Sequence, residues 1–173
     1  MVKKIAVVLL VLVLIGVLSV AAISGKEKTQ KVDMELVGTV INIGDGSVIF
    51  EVDLKGSPGK AYARGVSVSG LPVEMGDECF DLEGPDGMNT DSAQIAIIFE
   101  DGSMLFGNMD EDTPNYVCFA SPSQAAYRID GGTGRFEGAG GDVVFELITY
   151  AFGGPEGAVI AETGHGTGEI TLP

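Results

Sequence analysis

Tryptophan is absent from the 173 residues, histidine occurs once, cysteine twice, and only 10 Lys and Arg stand against 25 Asp and Glu. Each shortage argues against a class of function. The formal charge of -15 repels phosphate backbones and anionic lipid head groups alike, which speaks against nucleic acid as a partner. The lone imidazole, His165 in GHGTG, would have to serve any Ser-His-Asp triad, and no nucleophile-elbow motif supplies its serine. Neighbouring glycines suggest instead an exposed turn residue. One His and two distant Cys lack the paired spacing of a zinc site, so neither a metal nor another cofactor is expected, and no catalytic residue is assigned. Beyond Met34 there is no sustained 3.6-residue apolar period, which removes helical bundles.

Lys3 and Lys4 precede the uncharged run Ile5 to Ile23, the pattern of a signal peptide with small residues at Ser19, Ala21, Ala22 and Ser24 to accept a peptidase. A retained hydrophobic helix is the alternative, because about 20 apolar residues also span a bilayer. No cysteine near its end offers a site for lipid attachment. The chain therefore divides into 1–24, a signal peptide or N-terminal membrane anchor, 25–33, a polar tether, and 34–173, one β domain. The expected location is secreted or extracytoplasmic, with membrane contact only through residues 5–23 if they remain. Without the leader, 8 basic residues face 25 acidic ones, a charge of -17.

What the mature chain has in plenty is glycine, 26 residues, set between runs that alternate with period two. Val48, Phe50, Val52 and Leu54 share one face, with Glu51 and Asp53 on the other, after the turn residues Gly44, Asp45 and Gly46. Glu35–Ile43 and Ser47–Leu54 thus form a hairpin, as do Gln94–Glu100 and Ser103–Phe106 around Asp101 and Gly102. Further strands are expected over 60–68, 78–82, 116–120, 124–129, 142–152, 158–162 and 169–172. Such short, turn-bounded strands suggest a barrel or a sandwich. Ile95–Phe99 and Val143–Tyr150 are apolar on both faces, so the second face is covered either by a neighbouring subunit or by further chain.

In an exported chain Cys79 and Cys118 admit one intramolecular pairing, and closing a loop of about 40 residues is worth roughly 3–4 kcal/mol on the chain-entropy account. Arg64 and Tyr62 are candidate ligand-binding residues: if Val66 and Val68 point into a barrel, period two carries both inward. A buried guanidinium would then need an internal carboxylate or an anionic ligand. Otherwise Arg64 lies at a strand's open end and reaches water. The acidic groups Asp86, Asn89, Asp91 and Asp110, Glu111, Asp112 lack recognised calcium-loop spacing and read as solvated surface. Glu51 and Asp53 fall on the polar face, unsuited to the raised pKa that a glycosidase acid requires.

Residues 131–141 read GGTGRFEGAGG, between the apolar strands AAYRI and VVFELITY. This segment, through Gly131, Gly132, Thr133, Gly134, Phe136, Gly138, Ala139 and Gly141, resembles the allene oxide cyclase and dirigent barrel superfamily, over about 25 residues, and uncharacterised secreted prokaryotic proteins in particular. The resemblance implies an all-β, antiparallel, eight-stranded, calycin-like barrel, often trimeric, whose interior holds an apolar or reactive small molecule. Gly131, Gly132, Gly134 and Phe136 are read as a structural turn. The families' catalytic carboxylates find no counterpart, so the expectation is a non-enzymatic binder of a small apolar molecule. A cell-surface structural or adhesive module with a packed core, and a cyclase-like enzyme, are the alternatives.

Overall fold

The computed structural model describes residues 27–44, 47–72, 79–83, 95–118, 120–152 and 159–173; the leader, and with it the choice between signal peptide and anchor helix, lies outside them. Ten strands run through these residues: β1 Lys28–Gly44, β2 Ser47–Ser57, β3 Ala61–Pro72, β4 Cys79–Glu83, β5 Ile95–Phe99, β6 Met104–Met109, β7 Tyr116–Cys118, β8 Pro122–Thr133, β9 Gly140–Phe152 and β10 Val159–Leu172. All pairings are antiparallel. The order β2-β1-β10-β9-β8-β6-β5-β3 closes through a β2–β3 pairing, so eight strands form a barrel without a free edge. Strands β4 and β7 form a ribbon beside it, joined to β3 at one side and to β8 at Tyr116 and Gln124 at the other.

Alternation fixes what the barrel encloses. Val32, Met34, Leu36 and Val40 of β1 point inward, as do Phe50, Val52 and Leu54 of β2, Ile95, Ile97 and Phe99 of β5, and Val143, Phe145 and Leu147 of β9. A fully buried Phe, Leu or Met contributes about 1.5–3 kcal/mol, and this shared lining is the domain's hydrophobic core.

Two differences from the sequence expectation bear on the interior. Residues 28–33, expected in a tether, extend β1, with Lys28 opposite Leu172 and Asp33 opposite Thr167. Lys28, Lys31 and Asp33 are exposed while Val32 is buried, so a polar composition concealed a one-sided strand. The GHGTG stretch is no turn either: the two strands expected over 158–162 and 169–172 are, from Val159 to Leu172, the single strand β10, residue 158 lying outside the described residues. Gly166 lies there because a Cβ would come within 2.5 Å of Phe145 Cε1; the glycine makes room for the aromatic ring across the sheet.

Candidate functional site

The registers give the barrel two unlike ends. At one end β8 leads into β9 through a 3-10 turn at Gly134–Phe136, beside the β5–β6 turn and the ends of β1 and β10. Gly134 adopts φ 62°, in the left-handed region, while Gly131 and Gly132 lie within β8. Phe136 is completely buried, its ring centroid 4.7 Å from that of Phe99. Arg135 lies over both rings, at 4.6 Å and 4.8 Å, and reaches the Pro58 carbonyl at 3.3 Å and Asp101 at 3.4 Å. This end is plugged.

The opposite end carries the Cys79–Cys118 bridge, which ties the β4–β7 ribbon. The two Cα atoms are 4.1 Å apart, slightly below the about 4.4–6.8 Å usual for disulfides, because the cysteines sit directly opposite each other across the ladder. Disulfides persist in oxidising compartments, so the bridge points to an extracellular or similarly oxidising setting. No helix among the described residues is long and apolar enough to cross a membrane.

Polar side chains enter the lining toward this end. Ser123 is buried and fully engaged, accepting from the Cys118 amide at 2.8 Å and donating to a neighbouring carbonyl. Glu162 of β10 and Thr149 of β9 stand opposite each other and are 8% and 1% exposed. Among the described residues Glu162 has no ion pair. Burial pushes its carboxyl up to about 7. The adjacent Thr149 hydroxyl, within hydrogen-bonding reach of the carboxyl, acts in the opposite direction, but its oxygen completes no well-formed hydrogen bond. Tyr127 of β8 also faces inward; burial, and secondarily the charge of Glu162, raise its phenol above the usual range. Its ring centroid lies 6.3 Å from that of Phe50 and 6.0 Å from that of Phe145. A carboxyl, an unpartnered hydroxyl and three aromatic rings therefore share an otherwise apolar interior.

The proposed ligand residues Arg64 and Tyr62 are elsewhere. Ala61, Ala63 and Ser67 take the inward positions of β3, which turns Tyr62 and Arg64 outward, reversing the parity expected from Val66 and Val68. The small residues face inward because Ala63 lies between Val52 and Ile97 on the neighbouring strands, and those larger side chains fill the space. Arg64 Nη2 donates to Glu51 Oε1 at 2.8 Å, and its guanidinium sits 5.4 Å from the Tyr62 ring centroid, all on the exposed surface.

Glu162, in turn, went unnoticed in the sequence. Its signal was parity: Ile160 and Ile170 are both buried, and period two from either makes Glu162 the single acid on the inward face of β10. Reading GHGTG as a turn broke that count.

The other candidates are surface features. His165 lies mid-strand, not in a turn, half exposed with Nε2 3.2 Å from Asp33 Oδ1. Asp110 accepts from the Thr113 hydroxyl at 2.6 Å and from Arg128 at 2.7 Å; these contacts, with the Asp112 amide, hold its carboxyl below the usual range. Arg128 also meets Asp112 at 3.2 Å. No group of three side chains among the described residues is arranged to hold a metal ion. The Asp86, Asn89 and Asp91 group lies outside the described residues.

Neither a family model nor a curated relative matches the chain. Among solved structures, the pterocarpan synthase dirigent protein GePTS1 is similar, at 17% identity and a TM-score of 0.46, over 87% of this chain and 92% of that one. The pterocarpan synthase dirigent protein PsPTS1 is similar at 14% identity and a TM-score of 0.42, over 83% and 97%. The class stated here, a closed antiparallel eight-stranded barrel, stands on the strand register itself.

Proposed function

We propose that this protein is a secreted, non-catalytic barrel that takes a small, predominantly apolar molecule into its interior. One observation carries the reading: the lining is apolar except for a few polar groups, of which Glu162 makes no ion pair among the described residues and the Thr149 hydroxyl oxygen completes no hydrogen bond. Binding sites commonly have this makeup, with apolar walls and a few polar groups that orient the ligand. In a packed structural core the same groups would only destabilise. Export is supported by the leader pattern in residues 3–24 and by the disulfide. The test is titration with a neutral apolar fluorophore such as N-phenyl-1-naphthylamine. Saturable enhancement at one site per chain is expected, and a linear, unsaturable response would oppose the reading.

A second reading concerns the outer face. Val37 and Ile41 of β1 and Ile49 of β2 are exposed on adjoining strands, with Ile41 directly opposite Ile49, and Ile148 and Tyr150 of β9 are exposed across the intervening strand β10. Such a patch favours self-association, and a trimer is the assembly proposed. Light scattering on the purified chain tests it, with Ile41→Asp expected to yield monomers.

A further inference from the structure

The side chains around Glu162 narrow the ligand's chemistry. All seven Lys and Arg among the described residues, Lys28, Lys31, Lys55, Lys60, Arg64, Arg128 and Arg135, are exposed. The interior described therefore offers no cation to a fatty acid or another anionic amphiphile. Of the buried described side chains only Asp110, Tyr127 and Glu162 titrate, and Asp110 is already bound to Arg128 at the surface. The buried positions of β1, β2 and β9 carry no ionisable group, and β8 contributes only Tyr127 beside Glu162.

From this arrangement we infer that the interior facing Glu162, Thr149 and Tyr127 binds the ammonium head of a small alkyl or aryl amine whose apolar body lies along the barrel lining. The inference rests on the binder reading above and specifies the ligand's charge. A buried carboxylate is costly alone and becomes favourable when a cation with hydrogen-bond donors is brought to it. An ammonium group supplies three such donors, enough for the Glu162 oxygens and the unpartnered Thr149 hydroxyl. Tyr127, flanked by Phe50 and Phe145, adds the electron-rich ring faces that attract cations. The strongly acidic surface raises the local concentration of cationic ligands. No covalent bond to the ligand forms; the one chemical change is transfer of the Glu162 carboxyl proton to the buffer when an amine binds.

The experiment is calorimetric titration of the full chain at pH 7 with octylamine, 1-octanol and octanoate, in two buffers of different ionisation enthalpy. Octylamine is expected to bind about tenfold or more tightly than octanol, a difference of roughly 1.4 kcal/mol or above, with octanoate weakest. Octylamine binding should also release protons to the buffer, which octanol binding should not. Glu162→Gln should erase the amine's advantage over octanol, and Thr149→Val should weaken the amine by about three- to tenfold. If Glu162→Gln does not fold, proton release and the Thr149→Val variant still decide the point. Octanol and octylamine binding equally would overturn the amine assignment and leave the binder reading standing. Octanoate binding best would do the same. No binding by any of the three would overturn both.

Discussion

The two ends of the barrel solve opposite problems with the same inward alternation. At the glycine-turn end the chain brings Phe136 back under Phe99, lays Arg135 over both rings and satisfies the guanidinium at the surface. Its polar groups are partnered. Toward the disulfide end the ladder is braced covalently, yet the interior keeps a carboxyl with no ion pair among the described residues and a hydroxyl that completes no hydrogen bond. The difference teaches that tight packing and buried polar groups occupy separate halves: one end is closed by packed rings, while the other retains groups that packing alone would have removed.

Substitutions should break this contrast in a graded way. The largest effect is expected from Phe136→Ala, which opens a cavity in the plug and should cost about 3–5 kcal/mol, read as a shift in a denaturant midpoint. Next, removing the Cys79–Cys118 bridge by reduction or double Ala substitution should cost roughly 3–4 kcal/mol, because it frees a loop with a sequence separation of 39.

Glu162→Gln should act in the reverse direction. The Glu162 carboxyl is raised in the folded state from 4.5 to about 7, so the unfolded chain releases this proton first as pH rises. Its contribution to stability is therefore fully present below pH 4.5 and is lost as pH climbs toward 7, by as much as about 3 kcal/mol. The Gln variant should be more stable than the parent at pH 8 and lack that part of the decline in melts recorded between pH 5 and 8.

A smaller loss follows from Gly134→Ala. Here φ is 62° and a Cβ would meet Ser103 Oγ at 2.6 Å, so a cost of about 1–2 kcal/mol in a thermal melt is expected. Smallest of all is Arg64→Ala: its ion pair with Glu51 is exposed, and both the melting temperature and the uptake of an apolar probe should match the parent's.

How much of this was legible in sequence depends on the end considered. The GGTGRFEG segment announces its turn through residues that serve no other purpose: Gly134 needs positive φ, and Phe136 is the one aromatic returning to the core. The cysteine pair was legible because two cysteines leave a single intramolecular choice. Strand parity was the weak point. In β3 small residues occupy the interior, so hydrophobicity pointed to the wrong face and brought Arg64 and Tyr62 inward on paper. In β10 glycines that accommodate neighbouring rings and backbone looked like a turn, which hid Glu162. Both errors arise where neighbouring strands dictate residue size, information that a single strand's sequence does not contain.

The Glu162 carboxyl is buried and inward-facing and makes no ion pair among the described residues, and its ionisation can be followed directly. Isotope-edited NMR of the Glu162 side-chain carboxyl across pH 3–9 should give a midpoint near the value of about 7 that burial imposes, moving lower when octylamine is added. A midpoint at the ordinary 4.5, unmoved by the amine, would mean that water already solvates the group and would contradict the assignment of a binding site to this end of the barrel.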